Sequence, residues 1–293
     1  GLDNLDVNDL EFAPAFSTTP IALAATSAGV YRSDDAGASW TRSTEGILIP
    51  LISQVAFSPK FSTDRVAFAG TELAGLYKST DYGYTWFQAG QMAGLGKVNA
   101  IALSPRFATD STIFVGGEAP VGLQKSMDGG YSWVRVSPAP NATIRSLAVA
   151  PDYPQGPIYA GTTAGVFRST NGGVSWTYLG IGDLENVPVC ALSFSPLYPT
   201  DRSLYVGTGG LGIWRYDPGE IEITFTPTPT ASRTSTPTVT STNTATSTPI
   251  PTSTSTASPS ATASPTEATT ATATATFEPA GASWLPLILR AGG

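Results

Sequence analysis

Two glutamates, Glu72 and Glu118, are the side chains in this sequence best placed for chemistry. They occupy equivalent places in successive repeats, within "GTELAG" and "GGEAPVG", where the other repeats have no acid. If their loops converge, two carboxyl groups roughly 5–10 Å apart could hydrolyse a glycosidic bond. Adjacent exposed glutamates more often belong to a solvated surface, so we predict no catalytic residue.

The composition limits other catalytic and metal-binding chemistry. The sequence has no histidine, the commonest general base and zinc ligand, which excludes Ser–His–Asp and Cys–His sites. A single cysteine, Cys190, excludes an intrachain disulfide framework. The net charge of −7, with no basic cluster, argues against nucleic acid as a partner. We therefore predict no cofactor, no resident metal ion and no nucleic-acid partner.

The repeats that position these residues share one pattern. The segments "FAPAFSTT", "FSPKFSTD", "LSPRFATD", "VAPDYPQG" and "FSPLYPTD" recur along the chain, and their prolines are 45, 46, 46 and 45 residues apart. Each segment is followed by two short apolar runs, such as "VAFAGT" and "GLYKS" in the second repeat. Four of the five repeats continue into a Gly-rich turn and a tryptophan. Each repeat therefore predicts about four short strands.

The length of the repeat predicts a β-propeller. Units of about 40–50 residues with four strands each are typical of propeller blades. A linear β-solenoid is the alternative, but its rungs are usually shorter. We expect an all-β fold with a five-bladed propeller over residues 1–225. The fifth blade differs, because "GIWRY" continues into "DPGEIEITF" without the Gly-rich turn and tryptophan.

The turns "SDDAGASW", "STDYGYTW", "SMDGGYSW" and "STNGGVSW" resemble the Asp-box of BNR-type repeat propellers, S-x-D-x-G-x-[ST]-W. Asp-boxes recur in sialidases, sortilin-type receptors, xyloglucan-active glycoside hydrolases and a photosystem II assembly factor. The resemblance covers the repeats and implies the propeller fold. It implies little about function, because those families do unrelated work. The F-R-I-P signature of sialidases is absent from this sequence.

The motif residues are predicted to be structural rather than catalytic. A short acidic or amide side chain can accept hydrogen bonds from its own turn, glycine permits a positive φ, and tryptophan buries a large ring between neighbouring blades. The three motif aspartates lie in separate blades, so they form no shared metal cage. The residues with this structural role are Ser33, Asp35, Gly37, Trp40, Ser79, Asp81, Gly83, Trp86, Ser126, Asp128, Gly130, Trp133, Ser169, Asn171, Gly173 and Trp176.

Residues 226–278 are predicted to form an extended stalk. The segment is almost wholly Thr, Ser, Ala and Pro, so it cannot bury a core. Such a composition is typical of an O-glycosylated, mucin-like stalk, and a bare flexible tether is the alternative. With polyproline II geometry at ~3.1 Å per residue, ~50 residues could reach on the order of 150 Å. The glycosylation candidates are Asn141, Thr228, Thr230, Thr236, Thr238, Thr248 and Thr252.

The C-terminal segment 279–293 is predicted to dock or anchor. Its "AGASW" repeats the Ala36–Trp40 sequence of the first motif turn, and an apolar run follows. We expect this run to pair as a β-strand with an exposed propeller edge near the fifth blade, either in the same chain or in another protomer. A sorting signal is the alternative, because "WLPLILR" resembles the tails of secreted bacterial surface proteins. The docking residues would be Trp284, Leu285, Leu287, Ile288 and Leu289.

These patterns together favour a non-enzymatic extracellular protein. We expect a secreted surface or filament-forming structural protein, whose glycosylated stalk delivers the C-terminal strand to another subunit, head to tail. A tethered polysaccharide-binding or glycoside-hydrolase propeller is the alternative, and cell-surface glycans are a second candidate partner. No apolar run reaches the roughly 18 residues that a membrane-spanning helix needs. We therefore predict no transmembrane segment.

Overall fold

The computed structural model describes residues 1–2, 6–90, 96–136, 138, 142–179 and 186–217. This part of the chain contains nineteen strands in five antiparallel sheets, with three one-turn helices. The predicted all-β class is confirmed. Asn141, the threonines of the stalk and the docking residues of the tail lie outside the described residues, so these predictions stay predictions.

Four of the sheets have four described strands each, and the fifth has three. The first sheet contains β1 (Val7–Phe12), β2 (Ala22–Thr26), β3 (Gly29–Ser33) and β4 (Thr41–Arg42). The second contains β5 (Ile52–Phe57), β6 (Ala67–Thr71), β7 (Leu76–Ser79) and β8 (Phe87–Gln88). The third contains β9 (Val98–Leu103), β10 (Ile113–Gly117), β11 (Leu123–Ser126) and β12 (Val134–Arg135). The fourth contains β13 (Ile144–Val149), β14 (Ile158–Thr162), β15 (Gly165–Ser169) and β16 (Thr177–Leu179). The fifth contains β17 (Val189–Phe194), β18 (Leu204–Thr208) and β19 (Ile213–Tyr216).

The strands follow the apolar runs of the repeat. In the first four sheets the second strand is buried along its whole length. A tight turn joins the second strand to the third, as between Thr26 and Gly29, whose Cα atoms are register partners. The fourth strand begins one residue after the motif tryptophan, at Thr41 in the first sheet. Local hydrogen bonding at each turn therefore sets the position of the outer strand.

Three short helices connect first and second strands: α1 (Phe61–Asp64), α2 (Phe107–Asp110) and α3 (Tyr198–Asp201). Each ends on an aspartate whose carboxylate accepts a hydrogen bond from a serine six residues earlier. This bond is 2.6 Å long for Ser104 with Asp110 and for Ser195 with Asp201. The next residue adopts a left-handed conformation and closes the turn. These aspartates are therefore structural.

The hydrophobic core consists of layers between successive sheets. The inner strands pack side by side, β1 with β5, β5 with β9, β9 with β13 and β13 with β17. Each second strand also lies against the first strand of the next sheet, as β2 does against β5. Four clusters of buried side chains fill the four junctions. Such face-to-face succession of four-stranded sheets is the packing of propeller blades.

The fifth and first sheets do not share such a layer within the described residues. Neither β1 with β17 nor β1 with β18 makes the packing that joins the other sheets. The number of blades in the complete propeller therefore stays a prediction. In the same described residues, no helix has the length and apolar content needed to cross a membrane.

Candidate functional site

The four motif turns hold their polar side chains in local hydrogen bonds. In the first turn, Ser33 Oγ donates to Asp35 Oδ1 at 2.8 Å and accepts from the Gly37 amide at 2.8 Å. Asp35 also accepts from the Ser39 hydroxyl at 2.6 Å and the Ser39 amide at 2.7 Å. Gly37 has φ of 91°, a conformation that favours glycine. The same network forms around Asp81 and Asp128. Around Asn171 one bond is reversed, because Asn171 Nδ2 donates to the Ser175 hydroxyl.

These bonds lower the pKa values of the motif aspartates. The side-chain hydrogen bond from Ser39, with the other donors of the turn, lowers the pKa of Asp35 from 3.8 to about 2. The Ser132 hydroxyl, first among several donors, likewise holds the pKa of Asp128 well below its usual range. An ionised, fully engaged carboxylate is a poor general acid near neutral pH. The motif aspartates are therefore suited to stabilising the conformation of their turns.

Three of the four motif tryptophans reach the preceding sheet. The Trp86 indole donates to the Ser43 carbonyl at 2.9 Å, Trp133 to Ala89 at 3.1 Å, and Trp176 to Val136 at 2.7 Å. The accepting residue always lies three positions after the tryptophan of the preceding sheet. Trp40 donates only within its own turn, to Gly37. Three tryptophans thus make a hydrogen bond between sheets. Trp40 lies in the first sheet, and no sheet precedes it among the described residues.

A cation on the third strand of each of the first three sheets makes a second link between sheets. Arg32 Nε donates to the Tyr82 carbonyl, Lys78 Nζ to Gly129 and Lys125 Nζ to Gly172, each at 2.9 Å. The acceptor is always the fourth residue of the next motif turn. Burial lowers the pKa of Lys78 and of Lys125. Sequence reasoning missed these residues, although the signal was present as one Lys or Arg in each of "VYRS", "LYKS", "LQKS", "VFRS" and "IWRY".

The junction of the fourth and fifth sheets departs from this pattern. Arg168 occupies the cation position there, yet its buried Nε has no hydrogen-bond partner in the described part of the chain. The hydroxyl of Tyr159, also buried, has none in that part either. Burial pushes the pKa of Tyr159 above its usual range. Tyr216 stands where the motif serine stands in the other sheets, so the turn that would supply a carbonyl is altered.

The two candidate glutamates have different surroundings in the described part of the chain. The Glu72 carboxylate is 2.7 Å from Lys97 Nζ, and both side chains are about one-third exposed. Glu118 is exposed. The Glu72 carboxylate is therefore engaged in an ion pair, and Glu118 faces solvent.

Glu11 on β1 is the carboxyl group with the most altered environment, and the sequence did not predict it. Burial, and secondarily the charge of Asp9, raise the pKa of Glu11 from 4.5 to about 8. Asp9 itself accepts a hydrogen bond from the Val55 amide at 3.0 Å. The available signal was the repeat alignment, because Ala56, Ala102 and Ala148 occupy this position in the next three sheets.

Each end of the succession of sheets exposes apolar side chains that are buried elsewhere. On the first sheet, Val7 is 42% exposed, and Leu10 and Phe12 are similarly exposed; we call these three residues the leading face. The residues at the Val7 position of the other sheets are fully buried: Ile52, Val98, Ile144 and Val189. The exposure is confined to β1, since Ala24 and Tyr31 on the outer strands of this side are buried.

The fifth sheet exposes the opposite side. Tyr205 is 37% exposed and Ile213 is 45% exposed, and we call these two residues the trailing face. The residues that correspond to Ile213 in the other sheets are at most 1% exposed: Val30, Leu76, Leu123 and Val166. Arg215, the fifth cation of the series, binds within its own sheet, to Ser203 and Asp217. The trailing face therefore has the chemistry of an inter-sheet surface, and no sheet of the described residues packs on it.

Solved structures resemble this chain, whereas no family model and no curated protein matches it. A GH74 xyloglucanase from Xanthomonas campestris superimposes with a TM-score of 0.60 at 18% identity, over 75% of this chain and 37% of that one. An extracellular domain from B. thetaiotaomicron gives 0.53 at 16% identity, over 71% and 26%. YCF48 bound to D1 peptide gives 0.51 at 17% identity, over 74% and 66%.

The likeness extends over the described sheets and shows the fold. The chain spans about a third of the length of the GH74 enzymes that it matches. Its structural neighbours are GH74-type and BNR-like β-propeller proteins, and the five antiparallel sheets in the described residues agree with theirs. The structure is that of a β-propeller-type protein.

Proposed function

We propose that this protein is a non-enzymatic, extracellular structural protein that self-associates head to tail at a surface or in a filament. The observation that carries the proposal is the pair of uncovered faces at the two ends of the succession of sheets. A propeller head, a glycosylated stalk over residues 226–278 and a C-terminal strand donated to the next subunit complete it. A head-to-tail contact that does not close on itself builds a fibre.

The uncovered faces support association because their side chains occupy inter-sheet positions. Val7 and Ile213 sit where the other sheets bury valine, isoleucine and leucine. Burying apolar surface contributes about 25 cal/mol per Å², so a partner that covers both faces gains stability. The polar motif residues, in contrast, are occupied within their own turns. The leading and trailing faces are therefore candidates for contact with a partner, whereas the polar motif residues are already hydrogen-bonded within their turns.

Two further features support an extracellular location. A long Thr/Ser/Pro stalk has its usual use outside the cell, where attached sugars protect it from proteases. One structural neighbour is itself an extracellular domain.

The proposal predicts that single charges on the two faces reduce association. We expect the full chain to associate in analytical ultracentrifugation, and Val7→Glu or Tyr205→Glu to weaken association about tenfold or more, because a buried charge is costly. Val174→Glu is the matched control, since Val174 is 82% exposed in the fourth motif turn. A wild-type chain that stays monomeric up to its solubility limit contradicts the proposal.

A tethered polysaccharide-binding or glycoside-hydrolase propeller is the second candidate function. The likeness to GH74 enzymes favours it at the level of the fold. The position of Glu72 and Glu118 in neighbouring sheets is its only chemical support among the described residues, and Glu72 already contacts Lys97.

We expect no turnover of xyloglucan or other polysaccharides by the full chain. Reducing-sugar assays should give the same background rate for the wild type, Glu72→Gln and Glu118→Gln. Turnover that disappears in either glutamine variant would establish the second function and overturn the first.

A further inference from the structure

In the part of the chain that the structure describes, the junction between the fourth and fifth sheets lacks two contacts that the preceding three junctions make. At each of those junctions, a cation on the third strand donates to the fourth residue of the next motif turn, and the next tryptophan donates back across the junction. Within the described residues, Arg168 Nε is buried and has no such acceptor. The fifth repeat also has no motif tryptophan in its sequence.

The C-terminal segment carries the missing residues in the right order. Ala280–Trp284 matches Ala36–Trp40 residue for residue. In this alignment Ala280 takes the fourth motif position, whose carbonyl accepts from the cation in every complete junction. Trp284 takes the place of the motif tryptophan. By the spacing of the other junctions, its acceptor would be the carbonyl of Leu179, three residues after Trp176.

The proline of the tail also fits the hydrogen-bond pattern of a fourth strand. In the first three sheets the amide three residues after the tryptophan donates to the third strand, as Ser43 does to Val30 at 2.8 Å. Because alternate residues of an antiparallel strand bond to the same neighbour, the residue two positions after the tryptophan points its N–H outward. Pro286 has this outward position. Leu287, the next residue, would donate to the Ile213 carbonyl on β19.

We propose that Ala280–Leu289 of a second copy of this chain docks at the fourth–fifth junction and completes it. Arg168 Nε donates to the Ala280 carbonyl, the Trp284 indole donates to the Leu179 carbonyl, and the apolar run pairs with β19. The donor strand of the proposed function thereby receives a specific acceptor, and the inference rests on that function. A stiff stalk of ~50 residues favours delivery to another copy over return to its own sheet.

A complementation experiment tests the donor and the acceptor separately. We expect the full chain with Trp284→Ala (donor defect) and the full chain with Arg168→Met (acceptor defect) each to lose assembly. Mixing the two should restore one-to-one complexes, because the intact tail of one fits the intact junction of the other. Arg168→Lys should retain assembly, because Lys78 and Lys125 show that a lysine at this position can donate to the carbonyl of the next motif turn. Lys125→Met is the control, because its acceptor Gly172 lies in the same chain.

A peptide-binding measurement protects the test against misfolded variants. A labelled peptide of Ala280–Arg290 is titrated into the full chain that carries Trp284→Ala. We expect saturable binding, about tenfold weaker when Arg168→Met is added, because a charge-assisted hydrogen bond is lost. A Trp284→Ala peptide should bind about a hundredfold more weakly.

The outcomes separate this inference from the proposed function. If Trp284→Ala assembles as the wild type does, or the peptide does not bind, the docking inference is wrong while self-association stands. If the wild type is monomeric and Trp284→Ala lowers its melting temperature, the tail docks in its own chain, and both the second-copy contact and the proposed function are wrong. If the peptide is excluded until residues 218–225 are replaced by a Gly/Ser linker, the chain's own segment occupies the junction and the inference fails.

Discussion

Replacement of Trp86 by alanine should lower the free energy of unfolding by about 3–5 kcal/mol, the usual cost of truncating a buried tryptophan. Trp86 is 3% exposed and belongs to the core layer between the first and second sheets. Its indole donates across the junction to the Ser43 carbonyl at 2.9 Å. The variant therefore opens a cavity and leaves a buried acceptor without its donor.

Trp40→Ala is the matched control, because the same motif position there lacks a preceding sheet. Trp40 is only partly buried and donates within its own turn. We expect a loss of about 1 kcal/mol, which corresponds to local packing and one partly exposed hydrogen bond. Urea denaturation followed by circular dichroism measures both variants. Equal losses at the two positions would show that the inter-sheet contact of Trp86 contributes nothing to stability.

Glu11→Gln should raise the free energy of unfolding at pH 8–9 and change it little below pH 4.5. The pKa of Glu11 is raised from 4.5 to about 8 by burial and by Asp9, so the folded protein keeps the proton that the unfolded chain releases. Between these values the folded state binds more protons than the unfolded state. Stability therefore falls as the pH rises from about 4.5 to about 8, and the penalty is complete above that range.

Glutamine cannot ionise, so the variant lacks this penalty. The full pKa difference corresponds to about 5 kcal/mol. Because part of the Glu11 residue remains exposed, we expect a gain of about 2–4 kcal/mol at pH 9. Chemical denaturation at pH 4.5, 6.5 and 9 measures the gain, with exposed Glu118→Gln as the control. A stability difference between wild type and Glu11→Gln that does not grow with pH contradicts the assigned cause.

The repeat period and the turn chemistry were predictable because their causes are local. The bonds that the Ser33 and Asp35 side chains make in the first motif turn all lie between Ser33 and Ser39, so a short stretch of sequence contains both their donors and their acceptors. Asn171 could be placed with the aspartates for the same reason, since its side-chain oxygen accepts the same two bonds. Apolar runs bounded by such turns predict short strands wherever they occur.

The candidate site was only partly predictable, because its contacts join residues far apart in sequence. Lys78 was visible as one of five cations, but its acceptor Gly129 belongs to the next repeat. Glu72 was expected to be able to converge with a second carboxylate, and the structure places it against Lys97. The raised pKa of Glu11 comes mainly from burial, which exists only in the folded protein.

The sequence by itself determined the all-β class, the repeat boundaries and the turns, since each arises from hydrogen bonds and apolar periodicity within about ten residues. Only the tertiary structure decided which of these equivalent residues are covered. Val7 and Ile52 occupy the same position of the repeat, yet Ile52 is buried against the first sheet, whereas Val7 has no described sheet before it and is 42% exposed. Burial is a property of what packs against a residue, and the residues of one repeat do not show which other part of the chain packs against them.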